Sequence, residues 1–436
     1  MKCVKPKCLT FFVESCISKR ILLYEGIGEM SQKKKDFLFS LGIVSLGFVL
    51  LLMMWGIAFL IGKQDVSFFK SLFRLDAAYY DYIVRYGYHN EGNTAMFRNL
   101  NDIFVMGCWN AKGVYCFFPL YPLLISLFYF ISFKTISPNI IGCCLSFVFL
   151  VFFLFMVVRY LRMHNKKVNW WLVSILFVFN QVMIYFYSMY TESIFMLLAI
   201  LVIYFADKKQ YVWSGFCGAL LTATRVTGIL FMFYLFFRIL QHNKQLLLET
   251  KGSVKWYQPF FHIFVDAKQL VALALFPLGL ACFMLYLNYV QKVPVLAFSD
   301  MQTAWGRTSN FIGYNIYIKL TRPTKRIVQA VFAIVFFIFL VYLLFKKKYL
   351  SSFILFLLAF VSLRTSVESF DRYAIGMVIM LLEIYNFYLS ACSDQNKKRK
   401  IMKYCILGLI CVCFVGLNIA NLIVVFMYPT TPNLIY

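Results

Sequence analysis

The chain has 436 residues, 62% of them hydrophobic and 14% charged, with 43 Lys+Arg against 18 Asp+Glu and a mean hydropathy of +0.76. Soluble globular domains carry about a quarter charged residues, so that class is excluded. Apolar runs long enough for a ~30 Å hydrocarbon core recur along the whole length, without the ten-residue alternation of an outer-membrane barrel. The net charge of +25 would point to nucleic acid in a soluble protein. In a polytopic helical membrane protein it marks basic residues kept on the cytoplasmic side; the expected partner is the lipid bilayer, and no nucleic acid is expected.

Residues 1–36 form a basic segment, with Lys2, Lys5, Lys7, Lys19, Arg20 and Lys33 to Lys35. It is expected in the cytoplasm and lacks the short apolar stretch and small-residue site of a cleaved leader. Phe37 to Ile61 is the first predicted membrane helix. Residues 63–134 follow as a first outer loop, rich in aromatic residues. Within it Pro119 and Pro122 disfavour a helix interior, so 117–134 is read as a helix lying at the interface or dipping into the membrane. Residues 139–160 form a strong span that ends at Arg159, Arg162, Lys166 and Lys167, a basic group with no acid, hence cytoplasmic.

The remaining predicted spans alternate in direction: 170–187, 192–205, 212–224, 226–240, 270–290, 327–345, 350–363, 373–391 and 404–427. This makes about eleven spans in one transmembrane unit over 37–427. A second outer loop covers 291–326, and 428–436 is a short outer tail. No internal repeat is evident, which weakens a transporter reading built on paired halves.

The alternation puts Asp76, Asp81, Glu192, Arg225, Arg307, Asp371 and Arg372 on the non-cytoplasmic side. Ionisable groups at membrane depth are costly and usually functional. Asp76, in Arg74-Leu75-Asp76-Ala77-Ala78-Tyr79-Tyr80-Asp81, is the sharpest candidate for a general base. A helix there puts Tyr79 and Tyr80 on its face. It turns Asp81 away by about 140°, which disfavours a shared metal. The competing reading pairs Asp76 with Arg74 or makes it a helix cap. Glu192 is open to the same two readings, as a ligand contact or as part of an N-cap with Thr191 or Ser193. Arg225, within Thr222-Ala223-Thr224-Arg225-Val226-Thr227-Gly228, requires an anion: a phosphate, which suits a guanidinium fork, or an internal salt bridge to Glu192. Trp305 and Arg307, with Arg372 and Tyr373, add cations and aromatic faces. Cys108 and Cys116 share the first outer loop and have a spacing that permits a disulfide. Thirteen Cys and four His show no CxxC pair and no zinc-type spacing, so no metal site is expected.

The ordered set Arg74-x-Asp76-x-x-x-Tyr80, Gly87-Tyr88, Phe117-Phe118-Pro119-Leu120-Tyr121-Pro122-Leu123, Tyr190-Thr191-Glu192-Ser193-Ile194-Phe195, Thr224-Arg225-Val226-Thr227-Gly228, Ala304-Trp305-Gly306-Arg307 and Arg372-Tyr373 resembles the PIG-V-type (GPI mannosyltransferase 2-like) mannosyltransferase family. It is nearest the bacterial branch, within the multi-span GT-C glycosyltransferase superfamily. The resemblance spans about residues 70–380. Leu75 stands where that family usually has tryptophan.

The resemblance implies an all-α GT-C-type fold. It implies transfer of a hexose, mannose foremost, from a polyprenyl- or dolichyl-phosphate sugar to a lipid-linked or cell-envelope glycan acceptor. The reaction would take place on the non-cytoplasmic face of a bacterial inner membrane or of the endoplasmic reticulum. Asp76 would be the base of an inverting reaction. Arg74, Tyr79, Tyr80, Asp81, Glu192, Arg225, Trp305, Arg307 and Arg372 would contact the substrates, with no cofactor. A transporter or flippase of a lipid-linked saccharide and a non-catalytic membrane assembly subunit are the competing classes.

Overall fold

Runs of Leu, Ile, Val and Phe without an interior proline satisfy their own backbone hydrogen bonds as helix, which is what a lipid environment demands. The computed structural model describes residues 8–88, 111–300, 310–321, 327–364, 366–367 and 369–427, with side chains in the first helix from residue 31 onward. Among the described residues the regular structure is entirely helical.

The helices that matter for the site are α1 (Cys8–Leu60), α2 (Asp76–Tyr86), α3 (Leu120–Ile131), α4 (Pro138–Met163), α5 (Trp170–Phe177), α6 (Met183–Tyr187), α7 (Glu192–Asp207), α8 (Tyr211–Thr222), α9 (Phe231–Lys251), α10 (Ala267–Leu275), α11 (Leu278–Tyr289), α12 (Ile327–Phe345), α13 (Tyr349–Leu363), α14 (Phe370–Gly376), α15 (Val378–Cys392) and α16 (Lys397–Met427). Among the described residues four segments are long and apolar enough to cross a membrane: Ser31–Leu60 of α1, α4, α12 and α16. The number rises to six if the bent pairs α10–α11 and α14–α15 each make one span. These helices mark a membrane protein.

The middle of the fold is α4, the most buried of the four, packed between α1 and α7. Its Ser137 side chain accepts from Ile140 N and caps it, with Pro138 at the first helical position, where a missing N–H is harmless. Helix α3 is twelve residues long, about 18 Å at 1.5 Å per residue. Its Tyr121 hydroxyl donates to Gly142 O of α4 at 2.9 Å and lies 2.7 Å from Ser146 Oγ, so the Pro119–Pro122 segment is fastened to the central helix.

Several predicted spans take a different form. The stretch 170–187 is two short helices, α5 and α6, rather than one. The break is built by Asn180, whose amide donates to Leu176 O at 2.9 Å while its oxygen accepts from Val182 N at 3.1 Å. The stretch 270–290 bends by 42° at Pro277, which can neither donate nor fit a straight helix. Helix α14 begins at Phe370, three residues before the predicted span, and meets α15 at a 68° angle around Met377. A 3-10 turn over Val226–Leu230 precedes α9. At Asn180 a side chain's hydrogen bonds, and at Pro277 a missing donor, interrupt an apolar run, and run length alone registers neither.

Small residues bring α8 against α10 and α11. A Cβ built on Gly279 would meet Ala219 O and the Ala223 backbone, and one on Gly215 would meet the backbone of Ala272. Thr222 Oγ1 bridges the α10–α11 break, donating to Phe276 O at 3.2 Å and accepting from Leu280 N at 3.3 Å. Close backbone approach through small residues is how membrane helices pack, and here it fixes the segment that leads to Arg225. Gly279→Val is expected to force α8 and α11 apart, at about 1–3 kcal/mol. This would read as a lower melting temperature of the detergent-solubilised protein; an unchanged melting temperature would mean the contact is loose.

Candidate active site

Asp76 is the first residue of α2, where a carboxylate complements the positive end of the helix. The residue before it, Leu75, has φ 39 and ψ −101, a conformation that costs an L-residue about 1–3 kcal/mol. This turn sends Arg74 away from Asp76. Arg74 Nη2 donates to Val425 O of α16 at 2.6 Å and Nε to Ser71 O at 3.0 Å. The sequence neighbour is therefore not the partner.

The partner of Asp76 is Arg372, on α14. Arg372 Nη1 lies 2.9 Å from Asp76 Oδ2, and its Nε lies 3.2 Å from Glu192 Oε1. Arg225 Nη2 reaches the same Glu192 Oε1 at 2.5 Å, and Arg225 Nε donates to Thr191 Oγ1 at 2.6 Å. Asp76, Arg372, Glu192 and Arg225 thus form one continuous chain of ion pairs. Thr191 precedes α7, but its side chain makes no cap bond. It serves Arg225 instead, and Ser193 Oγ donates to Phe186 O. Ser369, which precedes α14, also has a positive φ of 60°, so both helices carrying the Asp76–Arg372 pair start from a strained residue.

Aromatic rings wall the cluster. The Arg372 guanidinium carbon lies 5.2, 5.5 and 5.4 Å from the ring centroids of Tyr185, Tyr190 and Tyr373. That of Arg225 lies 5.8 Å from Phe195 and 5.8 Å from Tyr373, so Tyr373 faces both cations. Cation–π contacts in desolvated settings contribute on the order of 2 kcal/mol. The Tyr190 hydroxyl donates to Arg74 O at 3.0 Å, pinning the strained turn.

Exposure separates the members. The Asp76 side chain is 24% exposed, whereas Glu192 and Arg372 are 1% and 6% exposed. Asp76 is the carboxylate a ligand can reach. Glu192 Oε2 is buried and has no hydrogen-bond partner among the described residues, an unusual state for a carboxylate oxygen.

The other expected site residues divide. Tyr80 is inside the cluster: its phenol interacts with the Thr191 side chain and senses Arg225 and Asp76, and burial pushes its ionisation well above the usual phenol range. Its ring packs edge-on against Phe117 and Tyr121. Tyr79 is stacked on Phe117, with centroids 4.6 Å apart, and holds the Phe117–Leu123 segment against α2. Asp81 is apart from the cluster. It pairs with Arg85 at 2.8 Å, Arg85 lies over the Tyr129 ring, and burial raises the Asp81 carboxyl despite that cation. Arg74 contributes backbone and positioning bonds. Trp305, Arg307 and Cys108 lie outside the described residues; Cys116 Sγ is 3.3 Å from Phe298 O.

Tyr185 and Gln181 are not site candidates by sequence, and Thr191 is one only as a helix cap, whereas in the fold it accepts from Arg225 Nε. Gln181 Nε2 donates to Asp371 Oδ2 at 3.1 Å, beside Arg372. The available signal was the polar pair Asn180-Gln181 inside an apolar run, followed by tyrosines at 185, 187 and 190. Among the described residues no group of three or more His, Cys, Asp or Glu could hold a metal ion.

Comparison of the chain with family models, with curated proteins and with solved structures returns no match.

Proposed function

We propose that this membrane protein is a glycosyltransferase of GT-C type, with about eleven crossings, that moves a hexose, mannose foremost, from a polyprenyl- or dolichyl-phosphate sugar to a lipid-linked or cell-envelope glycan acceptor. The site faces the non-cytoplasmic side. The observation that carries this reading is the meeting of one reachable carboxylate, Asp76, with two aromatic-walled guanidiniums, Arg372 and Arg225, drawn from segments far apart in the chain. The ordered resemblance to PIG-V-type enzymes supplies the substrate class.

The step balances as an in-line displacement. The acceptor oxygen forms a bond to the anomeric carbon while its proton passes to the Asp76 carboxylate. The bond from the anomeric carbon to the phosphate oxygen breaks, its electron pair leaves with the lipid phosphate, and the configuration inverts. Arg372 and Arg225 meet the charge that develops on the phosphate. Glu192 Oε1 holds both guanidiniums in place, by a hydrogen bond from Arg225 and a 3.2 Å ion-pair contact with Arg372 Nε. Tyr80 and Tyr185 supply rings beside the cluster, and the resemblance to PIG-V-type enzymes, rather than any described position, adds Trp305 and Arg307 as substrate contacts. The phosphate charge is met by arginine, so transfer is expected to persist in EDTA.

The test is transfer of labelled mannose from polyprenyl-phosphate mannose by the purified protein across a panel of glycolipid acceptors. Product and free polyprenyl phosphate are expected in equal amounts. No transfer to any acceptor would sink the reading. One observation favours a second class, a non-catalytic assembly subunit: Asp76, Arg372, Glu192 and Arg225 already pair with one another, as a purely structural network would. That class predicts that Asp76 variants alter stability alone.

A further inference from the structure

We propose that Arg372 has two positions: without donor it holds Asp76, and the donor's phosphate draws it off, so that the donor itself releases the base. This deepens the transfer reading and rests on it. Arg372 bridges two carboxylates, at 2.9 Å to Asp76 and 3.2 Å to Glu192. The two are not equivalent. Glu192 also holds Arg225, which Thr191 fixes in turn, so Glu192 stays neutralised when Arg372 shifts. Asp76 is the partner that gives Arg372 up, and it is the exposed one of the two.

An anion entering on the open side meets the Asp76 charge in front of the guanidinium it needs. Phosphate and Asp76 therefore compete for the same N–H groups, and binding of one weakens binding of the other by the same factor. The tyrosine faces around Arg372 favour the cation in either position. The chemical consequence is order. While Arg372 Nη1 sits 2.9 Å from Asp76 Oδ2 that oxygen is occupied, so an acceptor hydroxyl or a stray water cannot take its place there until a donor is bound.

The experiment measures binding of a polyprenyl monophosphate, without sugar, to the purified full-length protein in detergent. The comparison is wild type against Asp76→Asn and Asp76→Ser. The two replacements remove the same charge with different shapes, and gel filtration and melting temperature confirm folding. Both variants are expected to bind roughly tenfold tighter or more, the scale of one partly buried ion pair no longer competing, while Arg372→Gln binds more weakly than wild type. Equal or weaker binding by both folded Asp76 variants, with wild type binding measurably, would overturn the competition and leave the transfer reading to its own assay. No binding by any form would overturn the proposal together with the phosphate role of Arg372.

Discussion

Asp76→Asn is expected to lower the transfer rate by about 10²–10⁴-fold at saturating donor, the usual contribution of a positioned general base, with the fold intact. The amide keeps the size of the carboxylate, and its oxygen still accepts from Arg372 Nη1. Arg372 retains its second carboxylate, Glu192, at 3.2 Å, so the substitution does not strand a buried cation. What is lost is the capacity to take a proton. Because the Asp76 side chain is 24% exposed, the change in melting temperature should be small beside the change in rate. A transfer rate within a few-fold of wild type would remove Asp76 as the base. A collapse of stability in step with activity would favour the structural network instead.

The second large effect is expected at Glu192, and on stability. Glu192→Ala leaves two guanidiniums without the carboxylate that bridges them, at side-chain exposures of 15% for Arg225 and 6% for Arg372. Removing one partner of a buried ion pair costs about 3–5 kcal/mol, and Arg225 lies toward the lower end because part of it is solvated. Arg225→Ala in the same background should recover a good part of that loss, since it removes the charge left stranded, while Arg372 keeps Asp76 at 2.9 Å. The double variant is thus expected to be less damaged than the sum of the two single variants. Unfolding in detergent, followed by a fluorescence or thermal scan, gives all three values. Strict additivity would show that Glu192 and Arg225 do not act as a unit.

The two expectations have one structural origin. In the cluster the acids differ in what surrounds them: Glu192 is enclosed and shared, and Asp76 is open and held once. An enclosed, shared carboxylate is architecture for cations. An open carboxylate at the start of a helix, next to a strained turn, is placed to meet a substrate. The closed ion-pair chain and the functional reading are therefore compatible, provided that a ligand anion can replace Asp76 as the partner of Arg372.

Much of the helix pattern was legible. The predicted span 327–345 coincides with α12, and 139–160 lies within α4. Both are long apolar runs in which composition alone forces helix, because no other local structure satisfies the backbone in lipid. The basic segment leading into α16 and the short Tyr349–Leu363 helix also follow the pattern. The breaks were less legible. Pro277 is a visible signal, whereas the Asn180 interruption depends on that side chain bonding Leu176 O and Val182 N, and the bend at Met377 is marked by no residue that stands out in the run.

The site was legible in several members and in one of its pairs, the Arg225–Glu192 salt bridge, but not in the pair that Asp76 makes. Residue type and position by themselves put Asp76, Asp81, Glu192, Arg225, Arg307, Asp371 and Arg372 at one face, because unpaired charges are too costly to be scattered through an apolar chain; four of them form the ion-pair chain, and Asp81 pairs elsewhere with Arg85. Only the tertiary structure decided which cation meets Asp76. By proximity, Arg74 is the natural partner of Asp76, yet the partner is Arg372, 296 residues away. The reason is geometric. The turn at Leu75 carries Arg74 off to Val425 on the last helix, and the start of α14 delivers Arg372 to the carboxylate that turn leaves open. Coulomb attraction is nearly indifferent among several arginines at one membrane face. Backbone direction chooses among them, and that is a property of the folded chain.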